Sequence, residues 1–334
     1  MAADQIFIHA WWRSGSTYVW SKMRENDSHI CYYEPLHEII SQLSLDVVLK
    51  PPDSERNRFF RHPILQKNYF AEYTELVHCN NLRFAPALSY DRYLLLPNQA
   101  DEQLRVYIEG LLNAAKAAKR HAALCFCRSQ MRSAWLKKNF GGLHIAQIRN
   151  PWDQWASFQL DYYFRGKVLL IALKLHDSHP FAFAHIESFE RFARYMSKRS
   201  DAVVEPLFAK FIAKKDSLAV FLIIWIASAL QAISCADFVL DIDRLSTDLD
   251  YRKSAVEWFK AIGCSIDFSD CASPASGKLP ISPDEFDRIF NDTLTAMRTK
   301  AAALVIAEPE IVKQRLEALS PLSSKVLRSA LEHQ

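Results

Sequence analysis

The residues best placed to do chemistry in this chain are WWRSGST at 11–17. They follow an apolar run, QIFIHA at 5–10, and precede a helical pattern with Val19, Trp20 and Met23 on one side. A turn between a parallel strand and a helix N-terminus aims several backbone N–H groups at one point, and the helix dipole adds positive potential there. Gly15 lets the backbone approach an anion with no Cβ in the way. Ser14, Ser16 and Thr17 offer hydroxyl donors, and Arg13 adds a charge that can grip two oxygens at once. The chemistry implied is capture of a phosphate or a similar anion. A serine-capped helix with an incidental glycine would be written in the same letters. The Walker pattern GxxxxGK[ST] is absent from the chain, which argues against ATP or GTP hydrolysis.

A second anchor lies in HIAQIRNPWDQWAS at 144–157. Arg149 ends a buried strand, and Ser157 follows eight residues later on the next helix. An arginine at the carboxyl end of a parallel strand sits where open α/β sheets bind ligands. Arg149 and Ser157 together suit one further phosphate; a surface ion pair and a solvated hydroxyl are the plain alternatives. CYYEPLHE at 31–38 ends another strand with Glu34, and Pro35 reads as the start of a helix. Glu34 is then a carboxylate near the same sheet edge, able to take a proton from a hydroxyl, or else a helix cap or a partner of Arg13. His37 is the reserve for that role. Arg128 and Arg132, in FCRSQMR after a further strand, are candidates to bind an anionic substrate, with ion pairing as the alternative.

WRSGSTYVW and IRNPWDQWAS together resemble the two phosphosulfate-binding elements of sulfotransferases that use 3′-phosphoadenosine 5′-phosphosulfate. The direct match covers about 25 residues, and the order of strands and helices extends it through about residue 280. The resemblance implies a P-loop nucleoside-triphosphate-hydrolase-like fold. Residues Arg13, Ser14, Gly15, Ser16 and Thr17 would hold the 5′-phosphosulfate. Arg149 and Ser157, at the family's spacing, would hold the 3′-phosphate. SGKLP at 276–280 is similar to the loop that closes over the nucleotide, with Gly277 and Lys278 as contacts. Glu34, 21 residues after Arg13, resembles the catalytic glutamate of some members, and no metal is expected. Many members carry lysine where this chain has Arg13. Arginine stays protonated, so it would neutralise the departing phosphate without passing it a proton. The acceptor implied is a hydroxyl of a glycan or small metabolite, with a tyrosine peptide second. A nucleotide-dependent kinase and a non-catalytic nucleotide-binding protein are the alternatives.

These groups need a frame, and the apolar periodicity supplies one. Buried strands are expected at 5–10, 29–33, 122–127, 144–149 and 237–242, separated by helical stretches. Strands alternating with helices predict an α/β fold, a parallel sheet of about five strands with helices on both faces. The chain reads as a single domain over 1–334, with insertions at about 46–100 and 158–215 shaping the acceptor side. It holds only seven glycines, against about 23 at the usual share. That shortage excludes glycine-rich architectures and disfavours a many-stranded β protein.

Composition bounds the partners. The net charge of +3 is too mild to point to nucleic acid. Seven cysteines without zinc-like pairing fit buried thiols in a reduced, cytoplasmic setting. The start, MAADQIFIHAWWRSGS, lacks the pattern of a signal peptide. LAVFLIIWIASALQAISCA at 218–236 is almost long enough to cross a bilayer. Ser228, Gln231 and Ser234 interrupt it, so a buried core helix and no membrane span are expected. Oligomeric state is not written in any motif.

Overall fold

The computed structural model describes residues 4–159, 161–196, 199, 204, 207, 211–272, 281–299, 304 and 307–331. Five strands form at the apolar runs: β1 (Gln5–His9), β2 (His29–Tyr33), β3 (His121–Phe126), β4 (Leu143–Ile148) and β5 (Phe238–Asp241). They pair in the order β2-β3-β1-β4-β5, and every pairing is parallel. Phe7 stands opposite Leu124 on one side and His144 on the other, so β1 is fully enclosed.

Alternate residues of a strand face opposite sides, and here both sides are apolar. Ala146, Ile148 and Val239 join one core; Ile145 and Leu240 join the other. The second core is closed by α1 (Ser16–Arg24), α2 (Glu102–Ala117), α3 (Ser133–Phe140) and the helix Leu249–Ala261. The first is closed by α4 (Pro151–Phe158), α5 (Tyr162–Ser178), α6 (Lys214–Cys235) and the C-terminal helix Pro321–Leu331. Helix α6 is the apolar stretch of the sequence. It is long and apolar enough to cross a membrane, yet 83% of its most apolar window is buried inside the protein. It packs on α3, α5 and β4, as a core helix does.

One boundary differs from the sequence expectation. Pro35 does not open a helix. Glu34 adopts a left-handed φ of 38°, which turns the chain first. A 3-10 helix, Glu38–Gln42, starts only after His37, whose Nδ1 accepts the Ile39 N–H at 3.1 Å. The insertion expected at about 46–100 has structure of its own. It carries short helices at Leu45–Leu49, Ser54–Phe59, Thr74–His78 and Ala87–Tyr90. Phe70, Tyr73, Leu76 and Leu88 anchor them in the second core. Asp101 caps α2, accepting the Leu104 N–H at 3.0 Å.

A polar chain crosses the centre of the sheet. His144 Nε2–H donates to the Gly141 carbonyl at 2.9 Å, which leaves its Nδ1 as acceptor for His9 Nε2–H at 2.8 Å. His9 Nδ1 then accepts the Ser129 hydroxyl at 2.7 Å. Both rings are fully buried. Burial pulls the His144 pKa down to about 4, with Lys137 adding to it and the Gly141 bond opposing. Burial and His144 hold His9 well below the ordinary value too. An unfolded chain binds these protons near pH 6.5 and the native one does not. Stability contributed by neutral His144 is therefore whole above pH 6.5 and is lost as pH falls toward 4. The loss is expected to reach on the order of 3 kcal/mol. Urea midpoints measured between pH 7 and 4.5 should fall steeply, and the slope should shrink in His144→Phe; a flat wild-type profile contradicts it.

Candidate functional site

Because all the strands are parallel, their carboxyl ends share one edge. Arg13 follows β1, Glu34 follows β2, Arg128 follows β3, Arg149 follows β4 and Asp243 follows β5. Five chemically active side chains thus converge from segments far apart in sequence.

The turn after β1 is tightly tied. Gln147 Nε2 donates to the Ser14 carbonyl at 2.8 Å, Gln154 Nε2 to the Trp12 carbonyl at 2.7 Å and Arg149 to the Arg13 carbonyl at 3.0 Å. The carbonyls of the turn are thereby occupied from the side of β4 and α4. Gly15 is the N-cap of α1 with φ 82°, and no side chain caps the helix. The first-turn amides of Ser16, Thr17 and Tyr18 have no intrahelical acceptor. A Cβ on Gly15 would lie 3.3 Å from Ile242 Cγ2. Glycine is required here twice, by the left-handed backbone and by the close approach.

Arg13 and Arg149 form the basic corner. Arg13 is itself left-handed, with φ 62°. Its Nε donates to Ser157 Oγ at 2.8 Å and its NH2 group to the Phe60 carbonyl at 3.0 Å, while its guanidinium rests 5.2 Å from the Phe164 ring centre. Neither Arg13 nor Arg149 has a carboxylate within 4.0 Å among the described residues. Burial and then the neighbouring Arg149 lower the Arg13 pKa to about 10, with Arg61 acting the same way. Burial also lowers Arg149, with Asp243 opposing and Arg61 adding to the fall. Arg149 is only 4% exposed, and its Nε has no hydrogen-bond partner. Two cations that repel one another beside uncapped amides can hold a multiply charged anion.

Other expected contacts fall out differently. Ser14 spends its hydroxyl on the Trp11 carbonyl at 2.6 Å, so it closes the turn rather than facing outward. Ser16 Oγ takes the Cys127 thiol at 3.1 Å, and Thr17 shares a hydrogen bond with Tyr33 OH at 3.0 Å. Arg132 lies apart. Its guanidinium, fully buried, donates to the carbonyls of Leu88, Asp91 and Arg92, which ties down the 87–92 segment and turns the group to structural work. Gly277 and Lys278 lie outside the described residues.

Glu34 and Arg128 are joined in a buried ion pair. The strand order explains it: β3 lies between β1 and β2, so its exit residues reach both. Arg128 also donates to Glu38 at 2.7 Å. Burial raises the Glu38 carboxyl, but Arg128, His37 and Lys167 outweigh it and hold it well below the usual range. Burial, reinforced by Arg128, lowers His37 to about 4. With its Nδ1 lone pair capping the 3-10 helix, His37 is a neutral positioning group and a poor proton acceptor.

His62, Glu38, Tyr90, Tyr163 and Lys167 also belong to this edge, and no motif marks them. Tyr69 OH donates to Asn57 at 2.6 Å, so it accepts His62 Nδ1–H at 2.8 Å. His62 Nε2 then turns its lone pair to Arg13 at 3.4 Å. Glu38 closes the CYYEPLHE segment, and the other four lie in the expected insertions at about 46–100 and 158–215. Searches of family models, curated proteins and solved structures find no match to this chain.

Gly15→Ala should destabilise the fold by about 1–2 kcal/mol, the usual penalty for a left-handed alanine. It should also weaken pyrophosphate binding at least tenfold by calorimetry, because the amides of α1 are displaced. Unchanged affinity would remove the turn from the anion site.

Proposed function

We propose that this chain is a sulfotransferase that moves a sulfuryl group from 3′-phosphoadenosine 5′-phosphosulfate to an acceptor hydroxyl, on a P-loop-like α/β domain. One observation carries the reading. Arg149, buried, and Arg13, half-buried, meet at the uncapped N-terminus of α1 with no carboxylate partner among the described residues. A single phosphate needs less positive charge than this corner holds; a nucleotide with two separate anionic groups matches it.

On this reading Arg13 and the amides of Ser16 and Thr17 face the 5′-phosphosulfate. Arg149 and Ser157 face the 3′-phosphate, with the Ser157 hydroxyl passing from Arg13 to the nucleotide on binding. The acceptor oxygen attacks sulfur in line. A new O–S bond forms as the bond from sulfur to the 5′-phosphate oxygen breaks, and its electron pair stays on that oxygen. The acceptor proton goes to Glu34. Arg13 balances the charge that grows on the leaving phosphate. The products are a sulfate ester and adenosine 3′,5′-bisphosphate. The acceptor enters from the side of segments 46–100 and α5. That wall carries Phe60, Tyr90, Tyr163 and Phe164, which suits a glycan or a small hydroxylated metabolite.

A thermal-shift series tests the donor. Adenosine 3′,5′-bisphosphate at 100 times its Kd should add about 2.7 kcal/mol of stability. Neither 5′-AMP nor ATP with Mg²⁺ should match it, and Arg149→Ala should erase the preference. Equal shifts from all three ligands would sink the 3′-phosphate assignment. With labelled donor and a panel of hydroxylated acceptors, Glu34→Gln should keep nucleotide binding and lose turnover at least 100-fold.

A further inference from the structure

Arg128 is the most deeply buried charge at the sheet edge, with no exposed surface at all. A cation so placed must be matched by fixed partners. Its NH2 arm is held by Glu38 at 2.7 Å, Tyr163 OH at 3.1 Å and Tyr90 OH at 3.3 Å. The guanidinium lies 4.7 Å from the Trp12 ring centre, which fixes its plane. Glu38 in turn receives Tyr90 OH at 2.9 Å, Tyr163 OH at 3.1 Å and Lys167 Nζ at 3.2 Å. Glu38 is therefore saturated, an anchor with no acceptor site to spare.

Glu34 is different. Its contact with Arg128 runs through the NH1 arm and one carboxylate oxygen, Oε2. The other oxygen, Oε1, has no nitrogen or hydroxyl donor among the described residues and is not sealed from solvent; the Cys127 thiol lies beside the same carboxylate. The next residue toward β3, Cys127, gives its thiol to Ser16 in the anion turn. Residues 127–128 thus join the turn to the carboxylate, with one hand on each.

On the transferase reading of the site, we propose that Arg128 is the positioning residue of the reaction: clamped by Glu38, Tyr90 and Tyr163, it aims Glu34 and supplies the counter-charge of its carboxylate, with Oε1 open to the acceptor. Because the guanidinium is a rigid plane, a clamp on one arm sets the direction of the other. Glu34 also faces Tyr33 from β2, His37 and Glu38 on its own segment, Cys127 after β3 and Tyr163 from α5. Burial and the surrounding charges leave His37 neutral and raise Tyr33, Tyr163 and Cys127. Arg128 is therefore the one permanent cation in direct contact with Glu34 among the described residues. It acts through Glu34 and does not bind the substrate itself.

The double variant Arg128→Gln/Glu38→Gln tests this, because it removes one charge of each sign and leaves Glu34 without its partner. It should bind adenosine 3′,5′-bisphosphate as the wild type does. Its kcat should fall at least 100-fold, and the acid limb of its pH–rate profile should move at least one unit upward. A normal acid limb at any level of kcat overturns the proposal, since lost packing alone leaves that limb in place. A second readout needs no turnover. The infrared band of protonated Glu34, identified by its loss in Glu34→Gln, should disappear at higher pH in the double variant than in the wild type. If the wild type transfers nothing, the sulfotransferase reading fails and this band alone decides the role of Arg128. Identical titrations of the band refute it.

Discussion

The constraint on which the site depends is the uniform direction of the sheet. Parallel strands place every carboxyl end on one side, and the helix that follows each strand begins there. Arg13, Glu34, Arg128 and Arg149 each leave a different strand at that edge. The order β2-β3-β1-β4-β5 then sets who meets whom. Arg149 from β4 reaches the Arg13 carbonyl because β4 adjoins β1, and Arg128 reaches Glu34 because β3 adjoins β2.

The edge divides into two electrostatic regions. At the β1–β4 side, Arg13 and Arg149 repel one another and lack carboxylate contacts. At the β2–β3 side, Arg128 and Lys167 offset Glu34 and Glu38, with two tyrosine hydroxyls filling the remaining acceptors. The first region carries positive charge that the described residues do not offset. The second is nearly complete in itself and leaves one carboxylate oxygen open. That contrast fits a site where one substrate brings charge and the other brings a proton to be removed.

Half of the six left-handed non-glycine residues among the described residues lie at the same place. Arg13, Glu34 and Arg61 are non-glycine residues with φ of 62°, 38° and 56°, each in a region that costs about 1–3 kcal/mol. The surrounding contacts hold them there: Ser157 and Phe60 on Arg13, and Arg128 on Glu34. Such positions persist where structure overrides local preference, as it does around binding sites.

Local chemistry was legible before folding. Apolar runs mark all five strands, because a strand buried on both faces must be apolar along its length. Gly15 marks the turn, because only glycine combines a left-handed backbone with close approach, and Arg149 and Ser157 lie within reach of it as their spacing suggested. Tertiary structure alone decided the rest. Arg128 and Glu34 are 94 residues apart, Arg13 and Ser157 are 144 apart, and His62 approaches Arg13 from a loop 49 residues away. Nothing local selects those pairs, so no motif could turn Arg132 away from the site or bring Lys167 into it. Propensity and periodicity act over a few residues. Strand order acts across the chain, and it is strand order that determines which charges share a dielectric and which hydroxyls are already spent.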